Sequence, residues 1–131
     1  MEFAPSPMDR LYTGVVSSYT MLRIAGVVAD LVAVQGYELD EAIEETGEHE
    51  RRNFVRPAGV AAEQVEAARQ AHELLVATAL DMARAAVTRS GASEACTALE
   101  AAAGAAYERE QQVRRLVDRE RGAAEADLYD A

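Results

Sequence analysis

The chain has 131 residues, enough for one domain that buries its own core without disulfides or structural metal. Its formal charge of −10 and pI near 4.6 repel phosphate backbones and anionic lipid headgroups, so neither nucleic acid nor membrane is an expected partner. Hydrophobic residues make up 50% of the sequence but aromatics only 5%, and alanine is nearly half of the apolar total, so each helix buries modest area and self-association is expected to supplement the core.

Residues 1–7 read as a loose arm, because Pro5 and Pro7 block regular structure. The first helix is predicted from Met8 or Asp9 to Val34. One stripe holds Val15, Tyr19, Leu22, Gly26, Ala29 and Ala33, another Val16, Ile24, Val27, Leu31 and Val34, so most of its circumference is apolar and it is the central helix. Thr13, Ser17, Thr20, Arg23 and Asp30 make a narrow polar strip on it. Its valines and threonines raise strand propensity, and a two-strand reading is the competing one. Arg23 and Asp30 interrupt Leu11–Val34, which reads as a buried soluble helix rather than a membrane span. The opening residues lack a positively charged leader and the single cysteine, Cys96, suits a reducing compartment, so a cytoplasmic location is expected. All thirteen basic residues are arginine, which with so much alanine has the look of a high-GC bacterial genome.

Gly36 is placed to end the first helix in a left-handed conformation. Asp40 is a candidate N-cap for a short acidic second helix over Glu41–Glu48, whose outer face carries Glu44 and Glu48. His49–Gly59, with Arg51, Arg52, Arg56, Pro57 and Gly59, reads as the linker. The third helix is predicted from Val60 to Ser90 with a core stripe of Val65, Ala68, His72, Leu75, Ala79, Met82 and Ala86. Gly91 ends it, Ser93 caps the fourth helix, and that helix carries Cys96, Leu99, Ala103, Ala106, Val113 and Val117 before stopping at Gly122. Each of these two rods is about 45 Å long, and the tight turn implies a long antiparallel hairpin, closely packed around Gly104. Beyond Tyr107 arginines and acids alternate, and residues 123–131 read as a disordered acidic tail. The fold expected is all-α: one antiparallel helical bundle over residues 8–122, of three long helices and one short one.

Several patterns invite chemistry. His72-Glu73-Leu74 followed by Leu80 is similar to the phosphoacceptor box of sensor histidine kinases, which implies phosphotransfer, but the position for a hydroxyl or amide is Val76 and the proline that follows is absent. A core histidine bonded to Arg23, Asp30 or a backbone carbonyl is the preferred reading. Glu41 with Glu44, and Glu63 with Glu66, have the acid-x-x-acid spacing by which all-α nucleotide pyrophosphatases hold magnesium; that family completes its site with a later acid-x-x-Asp pair and nearby basic residues, no Glu-x-x-Asp occurs here, and 23 acids produce such spacings by chance. The Glu-x-x-His of di-iron bundles is absent before both histidines, where Thr46 and Arg69 stand. Cys96 lies near a helix start, where the dipole lowers a thiol pKa, yet no base sits within a turn and the expected role is packing. Small secreted helical-hairpin proteins of actinobacteria share the composition, but their Trp-x-Gly turn has no counterpart in a chain without tryptophan.

No catalytic residue, metal set or cofactor motif is therefore expected. The function expected is that of a self-associating, non-catalytic interaction or regulatory protein, whose protein contacts fall on Glu44 and Glu48 or on Arg109, Arg114 and Arg115. The alternative is a small enzyme or ligand-binding protein with a pocket between helices one and three, where Arg23, Asp30 and His72 would converge on a small molecule. A weaker alternative is an acidic mimic of nucleic acid.

Overall fold

A computed structural model describes the backbone of residues 7–129 and side chains to residue 123. It is all-α: α1 (Pro7–Ala33), α2 (Leu39–Arg52), α3 (Ala62–Ser90) and α4 (Ala92–Tyr129), with no strand among the described residues. The valines of α1 do not make strands, because its apolar residues recur at helical spacing and face other helices. By length and composition α1, with mean hydropathy 1.5, would be able to cross a membrane, contrary to the reading above that Arg23 and Asp30 disqualify it; only 28% of its apolar window is buried inside the molecule.

The boundaries depart from expectation in physically simple ways. Pro7 is the first helical residue of α1, where its missing N–H costs nothing, and residues 1–6 of the expected arm lie outside the described residues. Gly36 takes φ +76° as anticipated, and the Tyr37 N–H donates to the Leu31 carbonyl at 3.0 Å to close the helix end. α2 is longer than the predicted Glu41–Glu48 at both ends. Glu38 is its extended N-cap, and Asp40 sits inside the first turn with its carboxylate on Arg84 of α3 at 2.8 Å. His49–Arg52, expected as linker, complete the helix, and basic side chains there suit the negative end of its dipole. α3 begins at Ala62, where the Gln64 side chain accepts the Ala61 N–H at 3.1 Å. Ser93 lies within α4 rather than capping it, and Gly122 does not stop it: the helix continues to Tyr129, so residues 123–129 of the expected tail are helical backbone and 130–131 lie outside the described residues.

The largest correction concerns pairing. α3 and α4 meet across the single residue Gly91, whose φ of +85° with ψ of 158° only glycine adopts readily, but they diverge instead of forming a long hairpin. α4 lies antiparallel along α1. Arg121 reaches Asp9 (3.8 Å), Tyr12 donates to Glu110 (3.0 Å), Tyr19 packs on Tyr107 (5.6 Å between centroids) and Gly26 faces Leu99. Gly104, expected at a close crossing, has open space around it.

Two cores result. The main one holds Ile24, Ala25, Val28 and Ala29 of α1, Ala42 of α2, Val76, Ala79, Leu80 and Ala83 of α3, and Ala95, Cys96 and Leu99 of α4, where all four helices meet. On α3 the buried stripe is Val76–Ala79–Leu80–Ala83; of the stripe expected from spacing only Ala79 is fully buried, while His72, Leu75, Met82 and Ala86 lie on its flank. Gly47 brings α2 close to α3, since a Cβ there would stand 3.1 Å from Leu80 Cδ1. The second core is small, Val15 against Val113 and Val117 with Met8 and Tyr12 beside them, and only α1 and α4 contribute to it. The molecule is thus a four-helix head with a two-helix arm.

Candidate functional site

Arg23 and Asp30 lie seven residues apart, about two turns, and so share one face of α1. That face opens onto α4 across a cleft of about 320 Å³, lined by Leu22, Arg23, Gly26, Val27, Asp30, Leu99, Glu100 and Ala103. The cleft exists because Gly26 and Ala103 project little between the two backbones. Its walls are apolar, and its charges are the Arg23 guanidinium at one side and the Asp30 and Glu100 carboxylates at the other.

His72 does not join them. It stands on α3, half-buried, where its Nε2 makes a 2.9 Å hydrogen bond with the Glu50 carbonyl and its ring packs against Phe54 at 5.3 Å between centroids. Of the three partners considered from sequence, the backbone carbonyl is the one it takes. The pocket expected between helices one and three by these three residues is therefore corrected to a cleft between α1 and α4 that holds two of them. Arg23 and His72 still share a neighbour, because the Glu50 side chain pairs with Arg23 at 3.6 Å. That pair is half-exposed on the arginine side and contributes at most about 1 kcal/mol. A ring half-buried with Nε2 engaged is a poor phosphoacceptor, and His72 reads as a strut joining α3 to the last turn of α2.

Sequence reasoning placed Cys96 in the core and missed its surroundings. Its Sγ–H donates to Glu100 Oε1 at 3.6 Å, one turn along α4, and Asp30 approaches from α1. Burial, then the Glu100 charge and hydrogen bond, then the charge of Asp30, push the thiol pKa up, the opposite of the lowering a helix start provides. Iodoacetamide at pH 8 should accordingly label Cys96 several-fold more slowly in the native protein than in urea; equal rates would show the thiol to be open and activated. The Cys96–Glu100 spacing of four was legible, whereas the approach of Asp30 depends on the α1–α4 register. These three are the residues that could hold a metal among those described. His49, whose Nε2 lies 3.0 Å from Asn53 Nδ2, is not with them.

Glu66 is bound by Arg69 at 2.6 Å, which lowers its pKa, and Glu41 and Glu44 are exposed on α2. Glu44 and Glu48 face solvent, Glu48 with Arg52 at 3.6 Å. Arg109, Arg114 and Arg115 are exposed on the arm, and Arg109 with Arg10 flanks a groove of about 510 Å³ floored by Gly14, Val15, Ser18 and Ala106. Glu110 is buried on the arm, accepting from Tyr12 and from the Gln111 amide at 2.6 Å, and its hydrogen bond with Tyr12, then burial and its charge, hold the Tyr12 phenol above its usual pKa. No family model, curated protein or solved structure matches the chain.

Proposed function

We propose that this is a non-catalytic interaction or regulatory protein of the cytoplasm that works as a homo-oligomer, the α1/α4 arm of one copy packing against the arm of a second to complete an antiparallel four-helix bundle. The observation that carries this reading is the unfinished core of the arm. Two helices cannot enclose a stripe between them, and Leu11 (42% exposed), Leu116 (45%) and Tyr107 (50%) remain open around the small cluster of Val15, Val113 and Val117.

Charge favours a second copy as the occupant. Arg10, Arg109, Arg114, Arg115, Arg119 and Arg121 stand against Asp9, Glu108, Glu110, Asp118, Glu120, Glu125 and Asp127, which leaves the arm at −1 and the rest of the chain at −9 of the total −10. Two arms therefore meet without the repulsion that separates the heads, and their alternating signs let arginines of one copy lie beside acids of the other. Such an isologous contact closes as a dimer. Light scattering should return twice the 14.1 kDa chain mass, and the double substitution Leu11→Glu with Leu116→Glu should return the chain mass with helicity unchanged. A wild-type mass of one chain at all concentrations would remove the reading, and a chain that floats with neutral liposomes instead would favour a lipid surface for α1.

A second reading rests on the cleft between α1 and α4. An apolar channel with Arg23 at one side and Asp30 at the other suits a small zwitterionic ligand, and nothing in its lining supplies a nucleophile beside a base.

A further inference from the structure

We propose that Asp30, Cys96 and Glu100 form a binding site for a thiophilic divalent cation, of which Zn²⁺ is the best fit, with its remaining coordination position open to the α1/α4 cleft. The three ligand atoms lie within 4.8 Å of one another and come from two helices. A tetrahedral ion at about 2.0–2.3 Å from its donors needs donor separations of roughly 3.3–3.7 Å. Rotation of the half-buried Asp30 and the exposed Glu100 can close that difference about the buried sulfur.

The donor set is chemically selective. One thiol with two carboxylates suits zinc or cobalt, whereas magnesium and calcium take oxygen alone. The spacing of four residues sets Cys96 and Glu100 on one face of α4, and Asp30 enters from α1. Two carboxylates and a thiol converge here with no cation of the protein among them. Neither Asp30 nor Glu100 has an ion pair among the described residues, and the one arginine of the cleft, Arg23, turns to Glu50 at 3.6 Å instead. A bound ion displaces the Cys96 thiol proton to solvent and replaces the mutual repulsion of the two carboxylates by three attractions, while the cleft leaves room for a water or a small anion as fourth ligand.

Cobalt(II) is the probe, added to the full chain after dialysis against a chelator. One equivalent should bind with a thiolate-to-cobalt charge-transfer band and the intense visible absorption of a tetrahedral site, and Zn²⁺ should displace it. Cys96→Ser should abolish the charge-transfer band and weaken Zn²⁺ binding by more than about 10-fold, the smallest loss expected when even outer-shell partners matter that much. Asp30→Asn is the second variant, at a half-buried position that does not endanger folding. It should weaken binding by a similar factor and keep the band, and dichroism should show both variants helical. Absence of the band in the wild type, equal affinity in Cys96→Ser, or an equal loss on replacing Glu44 and Glu48 with glutamine would overturn the assignment. Because the site lies within one chain, its outcome is independent of the mass measurement.

Discussion

Replacing Ile24 with alanine should destabilise the protein by about 2–5 kcal/mol, the range found when a buried branched side chain is cut to a methyl. Ile24 is fully buried at the level where all four helices meet, one turn from Val28 on α1 and within the cluster that holds Val76 and Leu80. Its neighbours are poorly equipped to fill the gap. The largest fully buried side chains are Ile24, Val28 and Val76, and the rest of the buried cluster is mostly alanine. A domain of this size has a total stability of roughly 5–15 kcal/mol, so one substitution removes a large part of it. The urea midpoint should fall with little change in slope, because the surface exposed on unfolding is nearly the same. A loss below about 1 kcal/mol would mean that the head relaxes around the cavity, and the packing described above would be wrong.

The helices themselves were legible from the return of apolar residues every three or four positions, and so was the role of Gly36, whose φ of +76° is what a left-handed terminus requires. What the pattern does not carry is which helix lies beside which. Gly91 reads as a tight turn, and a tight turn between two long rods suggests a hairpin, but the same glycine allows a sharp divergence that sends α4 along α1. The stripe of α3 was displaced by one residue, to Val76, Leu80 and Ala83, because alanines on several sides of α3 blur its apolar face. Helix ends were lost where capping chemistry was ambiguous. Asp40 resembles an N-cap and is instead held by Arg84.

The same division applies to the site. Arg23 with Asp30, and Cys96 with Glu100, are neighbours by helical spacing and can be found without coordinates. Their meeting across the cleft depends on the α1–α4 register, which spacing within one helix cannot express. His72 was singled out for interrupting an apolar stripe, yet that stripe flanks the buried face, and a half-buried histidine there finds the free carbonyl of Glu50 at the C-terminus of α2. That carbonyl is one of the acceptors every helix end leaves unpaired.

Thr46→Val should raise stability by about 1–3 kcal/mol, the cost of a buried hydroxyl without a partner. Four other helical threonines return their hydroxyl to the carbonyl four residues earlier: Thr13 to Asp9 at 2.9 Å, Thr20 to Val16 at 2.9 Å, Thr78 to Leu74 at 2.8 Å and Thr97 to Ser93 at 3.1 Å. Thr46 does not. It is 4% exposed in the middle of α2, its Oγ1 has no hydrogen-bond partner, and it sits beside a groove of about 280 Å³ whose floor is Val27 and Leu31 of α1. Valine keeps the branched shape and nearly the same helix propensity while removing the unpaired oxygen, so the change isolates the polar term. The urea midpoint should rise, with the mass in solution unchanged because Thr46 lies outside the α1/α4 arm. A fall in the midpoint would show that the hydroxyl is satisfied, and the groove beside it would then be the place to look for the group that satisfies it.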